Sequence, residues 1–154
     1  MALVKRIVNA LGTGALAAVG TTATVTALGK RETGSSAAAI NATSHIVWGD
    51  EAAEQDEVSK KYTLTGAVLN VMAVVGWAAV QEAALGRWVR KGSTARALAS
   101  GTAISALAYA TDYYVVPKRF TPGFEKRISQ ESLVAMYAVL AICLAVGASR
   151  SDTP

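Results

Sequence analysis

The chain has 154 residues, 52% of them hydrophobic and 17% charged, with a formal net charge of +4, one histidine and one cysteine. That length suits one domain. A lone cysteine excludes an internal disulfide or a cysteine metal cluster. The few positive charges, set beside apolar runs, suit lipid headgroups better than nucleic acid.

Four stretches contain no Asp, Glu, Lys or Arg: residues 7–29, 62–81, 97–111 and 132–149. A helix needs about 20 mainly apolar residues to cross roughly 30 Å of hydrocarbon. With their flanks, these runs predict spans over 8–28, 64–85, 95–116 and 132–148. A soluble Ala-rich bundle would carry a charged outer stripe on each helix, and these runs have none. The expected fold is an all-α integral membrane four-helix bundle with a short interfacial or re-entrant helix in the first loop.

Lys5 and Arg6 before the first run resemble the start of a signal peptide. The run exceeds twenty residues, is interrupted by Gly12, Gly14 and Gly20 and lacks a small-x-small site, so an uncleaved anchor is expected. Ala10, Gly14, Ala18, Thr22 and Thr26 recur every four residues. Such a ridge lets another helix approach closely, chiefly within the bundle, with a homo-oligomer seam as the alternative.

The first loop, 29–63, is too long to lack structure. Residues 35–48 would reach roughly 21 Å as a helix, too short to span, which predicts the interfacial or re-entrant segment. Asn41, Ser44, His45 and Trp48 share one face of it, and Ala39, Ala42 and Ile46 the other. Asp50 then reads as the N-cap of an acidic helix over 51–61. Glu51 and Glu54 suit the positive end of its dipole, and Lys60 and Lys61 the negative end. Asp56 with Lys60 and Glu57 with Lys61 would pair one turn apart.

Glu82 closes the second span near Arg87, Arg90 and Arg96, and Glu82 with Arg96 is the expected helix-end clamp. In the third span Thr102, Ser105, Tyr109 and Asp112 form a polar stripe that should face the bundle, because unsatisfied polar groups in hydrocarbon are costly. The third loop should be a tight connection. Pro117 stops the helix, Pro122-Gly123 suits a type II turn, and Phe120 and Phe124 dip into the interface while Lys118, Arg119, Lys126 and Arg127 meet lipid phosphates, chiefly as an anchor, with binding of anionic lipid headgroups as the alternative. Trp48, Trp88, Tyr62, Tyr113, Tyr114 and Tyr137 lie near span boundaries, as interfacial anchors do.

Four spans place the first and third loops on one membrane face. Asn41, Ser44, His45, Asp50, Glu51 and Asp112 therefore form the candidate polar cluster. His45 with Asp50, Glu51 and Asp112 could serve as a divalent-metal or proton site, but the five-residue step from His45 to Asp50 is not a helical ligand spacing, which leaves His45 and Asp112 as weak metal candidates. A hydrogen-bonded clamp is the expected role. No G-x-S-x-G or intramembrane Ser-Lys pair is present, and one histidine without C-x-x-C-H argues against haem, so neither catalysis nor a cofactor is expected. Lys and Arg near the helix ends number seven on the side of the termini and eight on the other. The first group is packed into short segments, which leans both termini toward the cytoplasm.

The blocks "INATSHIVWGDEAA" and "DYYVVPKRFTPGFEKR" resemble a group of small four-span bacterial inner-membrane proteins without an assigned activity. The resemblance covers about a fifth of the chain and draws attention to Asn41, His45, Trp48, Gly49, Asp50, Asp112, Pro117, Pro122 and Gly123. Members of that group carry histidines in the second span, where this chain has Leu69, Asn70 and Val71, so a multi-histidine metal site is not implied here. The expectation is a non-enzymatic accessory or scaffolding protein. A channel or transporter using the His45/Asp112 face is the alternative.

Overall fold

The computed structural model describes residues 2–90 and 92–150, which are helical or irregular with no strand among them. Helix α1 (Ala2–Thr33) leads to two short helices, α2 (Ala38–Thr43) and α3 (His45–Trp48), and a 3-10 turn at Asp50–Glu54. The long helix α4 (Tyr62–Arg90) follows, then α5 (Thr94–Ala110), which continues without a break into a π-helical turn at Thr111–Val115. After a connection with two further 3-10 turns, α6 (Gln130–Arg150) closes the chain.

Among the described residues, three helices are long and apolar enough to cross a membrane: Leu3–Thr33, Tyr62–Arg90 and Gln130–Arg150. The expected span at 95–116 differs from these. Its α-helical part is only 17 residues long, and the rest is wound as the π turn.

The bundle runs α4, α1, α6, α5 around its circumference, and α4 meets α5 over a shorter length. Small residues decide the close approaches. A Cβ on Gly14 would lie 2.8 Å from the Val75 backbone, and one on Gly147 would lie 2.8 Å from the Thr13 backbone. The ridge of α1 is therefore used inside the chain. Ala10, Gly14 and Ala18 are buried, and Thr22 accepts a hydrogen bond from Asn70 of α4 at 3.1 Å. The core joins Val25, Val74, Ile104, Leu133, Leu140 and Leu144.

Two buried polar pairs stitch the helices within this apolar interior. Gln81 donates to Ser100 at 2.9 Å, linking α4 to α5, and the Ser105 hydroxyl donates to the Tyr137 carbonyl at 2.6 Å, linking α5 to α6. The predicted stripe on α5 holds for Ser105, Tyr109 and Asp112, which all find partners. Thr102 is exposed. The buried residues of α5 are Ala97, Ser100, Gly101, Ile104, Ser105 and Ala108, and Thr102 falls off that face.

Candidate functional site

The two connectors at the end of the bundle carrying His45 fold against each other. Residues 37–45 are all buried, so the short helix α2 is inserted among the long ones and does not lie across their ends with one face outward, while α3 emerges from it with Val47 and Trp48 exposed. The insertion depends on Gly66. A Cβ there would overlap the Ile40 carbonyl oxygen and lie 2.9 Å from its carbon. Asn41, fully buried, explains the depth. Its amide donates to the Gln55 and Glu57 carbonyls at 2.9 and 3.0 Å, and its oxygen accepts from Thr63 at 2.6 Å.

Those bonds require extended backbone at Gln55 (φ −88°, ψ 123°), and the expected acidic helix over 51–61 is absent as a result. Helix is confined to the 3-10 turn at Asp50–Glu54, whose N-cap position is held by Gly49 and not by Asp50. The lysine pairs one turn apart give way to tertiary ones. Asp50 pairs with Lys126, Asp56 with Arg127, and Lys61 with Glu51 at 3.1 Å. Partners on the third loop win because they also tie down a folded connector, whereas a helical pair adds only a few tenths of a kcal/mol. The hydrogen bond from Lys126, then its charge, hold Asp50 below the ordinary carboxylate range. Glu51 is lowered likewise by the hydrogen bond from Lys61 and then that from Tyr62.

The third loop supplies the other half of the platform. Pro122-Gly123 forms the expected turn, with Gly123 at φ 82°, ψ −9°, as the third residue of a type II turn requires. A Cβ on Gly123 would lie 2.8 Å from the Nδ1 of His45, so the turn packs directly on the imidazole. Phe124 is buried and Phe120 exposed, which divides the pair expected to dip together. The four cations divide as well. Lys126 and Arg127 are taken up by Asp50 and Asp56, while Lys118 and Arg119 stay exposed at the rim. Glu32, at the end of α1, accepts from the Ser129 amide at 2.6 Å and from the Ser132 hydroxyl, joining α1 to the start of α6.

His45 is 3% exposed. Its Nδ1 lies 2.8 Å from the Ala42 carbonyl oxygen. A carbonyl only accepts, so Nδ1 carries the proton, and in the neutral ring Nε2 presents a lone pair. Among the described residues three buried side-chain polar atoms have no hydrogen-bond partner: Thr43 Oγ1, His45 Nε2 and the Tyr113 hydroxyl. Buried polar groups in folded proteins are nearly always paired. All three line one of two cavities on either side of the third loop.

The first cavity, about 220 Å³, is walled mainly by apolar side chains of α4, α6 and the third loop, with Thr43 and Asp112 at its polar edge. The second, about 560 Å³, is lined by His45, Tyr113, Lys118, Arg119 and Lys126, with Asp50 and Glu125. The π turn separates Asp112 from Tyr113, turning one toward each cavity. Such turns recur at functional sites. Asp112 accepts the Tyr137 hydroxyl at 2.6 Å, so His45 and Asp112 belong to different chambers. No group of three His, Cys, Asp or Glu side chains among the described residues could hold a metal ion.

At the far end of the bundle Glu82 is 8% exposed. Its carboxylate is held by Arg90 at 2.7 and 3.0 Å and by Arg6 at 3.6 Å, while Arg96 lies over the Trp88 ring at 5.6 Å. The clamp thus uses Arg90 and Arg6 where Arg96 was expected. Asn70, Gln81 and Glu32 were legible as lone polar residues near or inside apolar runs, a weaker signal than a full charge within a span. No known protein family, curated protein or solved structure matches the chain.

Proposed function

We propose that this is a four-span protein of a bacterial inner membrane with both termini cytoplasmic, acting as a non-enzymatic accessory component. α5 and its π turn, Thr94 to Val115 in one continuous helix, serve as the fourth span. The short helix α2 forms a re-entrant insertion between the spans, and α3 leads out of it. The observation that carries the reading is the cross-bracing of the two connectors. Asp50–Lys126, Asp56–Arg127 and the three bonds of Asn41 make one rigid platform, whose exposed Lys118 and Arg119 stand where anionic headgroups lie.

A rigid platform suits holding something in place better than passing it through. Between Glu82 and Asp112, Ala78 and Ile104 pack the interior and line neither cavity, and Asn70 and Gln81 are hydrogen-bonded across helices to Thr21 and Ser100. Transporters are instead built on broken helices around a midplane site. Proteoliposomes containing the purified chain should leak protons and divalent cations no faster than protein-free vesicles. A flux carried by the parent and lost in His45→Ala or Asp112→Asn would establish transport and overturn the accessory reading.

A further inference from the structure

We propose that the two cavities together bind one anionic phospholipid with a hydroxylated headgroup, its phosphate in the polar chamber and one acyl chain in the apolar chamber. The inference rests on the membrane reading above and names the ligand of that same face.

The chambers share a wall. Residues 43–46, 112–113 and 119–122 each contribute neighbouring side chains to both sides of it. One ligand that occupies both lies across the third-loop residues of that wall and is amphiphilic, its polar and apolar parts joined there. The apolar chamber is larger than cavities of about 150 Å³ that stay dry and admit hydrocarbon. Leu69, Ala73 and Trp77 of α4 line it and are themselves partly or fully exposed, so this side of α4 is where we place the entry of a chain.

The polar chamber selects the head. It holds three cations and two acids, a net of +1 from these five side chains. Lys126 neutralises Asp50, and Glu125 accepts from Thr121 at 2.6 Å. Lys118 and Arg119 then remain for a phosphate, which Arg meets with two parallel donors. The unpartnered groups read the rest of the head. In the neutral ring, with Nδ1 donating to the Ala42 carbonyl, Nε2 of His45 is an acceptor whose complement is a hydroxyl donor. The Tyr113 hydroxyl, buried and without a hydrogen-bond partner, supplies a donor to an ester or phosphate oxygen. A phosphate flanked by hydroxyls, as in phosphatidylglycerol, satisfies both.

Delipidated protein in a non-ionic detergent, titrated with lipid and read by native mass spectrometry, tests this. Phosphatidylglycerol should bind at least about tenfold more tightly than phosphatidylcholine. Lys118→Gln with Arg119→Gln should lower its affinity about tenfold, while Lys60→Gln on the same connectors should not. Ala73→Trp, which fills the apolar chamber from an exposed position, should weaken lipid binding. His45→Phe should bring phosphatidylglycerol down to the level of phosphatidic acid, which lacks the glycerol hydroxyls.

Inorganic phosphate at the same concentration should not compete. Full competition would make the site one for a free phosphate compound and overturn the proposal. Equal binding of phosphatidylglycerol and phosphatidylcholine, or insensitivity to the rim charges, would overturn it too, even if His45→Phe fails to fold. Either result leaves the sidedness of the connectors untouched, so failure of the lipid site is distinguishable from failure of the membrane reading.

Discussion

Gly66→Ala is expected to cost the most stability of any single methyl added to this protein. The new Cβ would occupy the place of the Ile40 carbonyl oxygen, and the obstruction is backbone at the centre of α2, not a side chain that can rotate away. Overpacking a core with an extra methylene costs about 1–3 kcal/mol when neighbours can shift. Here the insertion itself must move, which also strains the Asn41 bonds to Gln55, Glu57 and Thr63, so about 3 kcal/mol or more is expected. The matched control is Gly76→Ala on the same helix, where an added Cβ meets nothing within 4 Å. That change should be neutral or stabilise by up to about 1 kcal/mol through helix propensity. Thermal unfolding of both variants in one detergent checks the pair. Equal melting temperatures would mean that α2 does not pack on α4 as described.

Glu82→Gln should be nearly as severe at the other end of the bundle. The substitution keeps the volume but removes the charge that Arg90 and Arg6 share. Removing one partner of a fully buried pair costs about 3–5 kcal/mol because the other charge is left stranded. The Arg90 side chain is 26% exposed and water relieves part of that, so about 2–4 kcal/mol is expected. Arg90→Gln should destabilise less, since Arg6 still reaches the carboxylate. The double variant should lose less than the sum of the two, because the stranded charge is gone. Strict additivity, measured by thermal shift, would show that the two side chains do not interact.

The apolar runs made the long helices legible in the sequence, and the helices proved longer than the runs. α1 extends over Ala2–Thr33 around the expected 8–28, because Lys5, Arg6, Lys30 and Arg31 can sit on helix ends as easily as on loops. Pro122-Gly123 declared its turn because only one turn type asks for that pair with a positive φ at the second residue. The acidic segment misled for a physical reason. Its local pattern is a sound helix, but Asn41, fourteen and sixteen residues from Gln55 and Glu57, claims their carbonyls and holds the backbone extended. No local rule contains that contact.

The same limit applied to the candidate site. Counting helices put His45 and Asp112 on one face, and in the structure they line adjacent cavities at one end of the bundle. Their assignment to separate chambers depends on the π turn and on the third loop folding between them, and neither is written in residue spacing. The partners of Glu82 show the effect in miniature: Arg90 lies on the same helix, and Arg6 comes from a helix seventy-six residues away.

Sided labelling of single cysteines tests the central claim most directly. In a Cys143→Ala background, Lys60→Cys and Arg119→Cys report the two connectors, and Lys5→Cys and Ser93→Cys report the opposite end of the bundle. A membrane-impermeant maleimide applied to intact cells with a permeable outer membrane should label positions 60 and 119 and spare 5 and 93, and inside-out vesicles should reverse the pattern. Labelling of 60 and 119 from opposite sides would contradict the account, because the platform could not then exist.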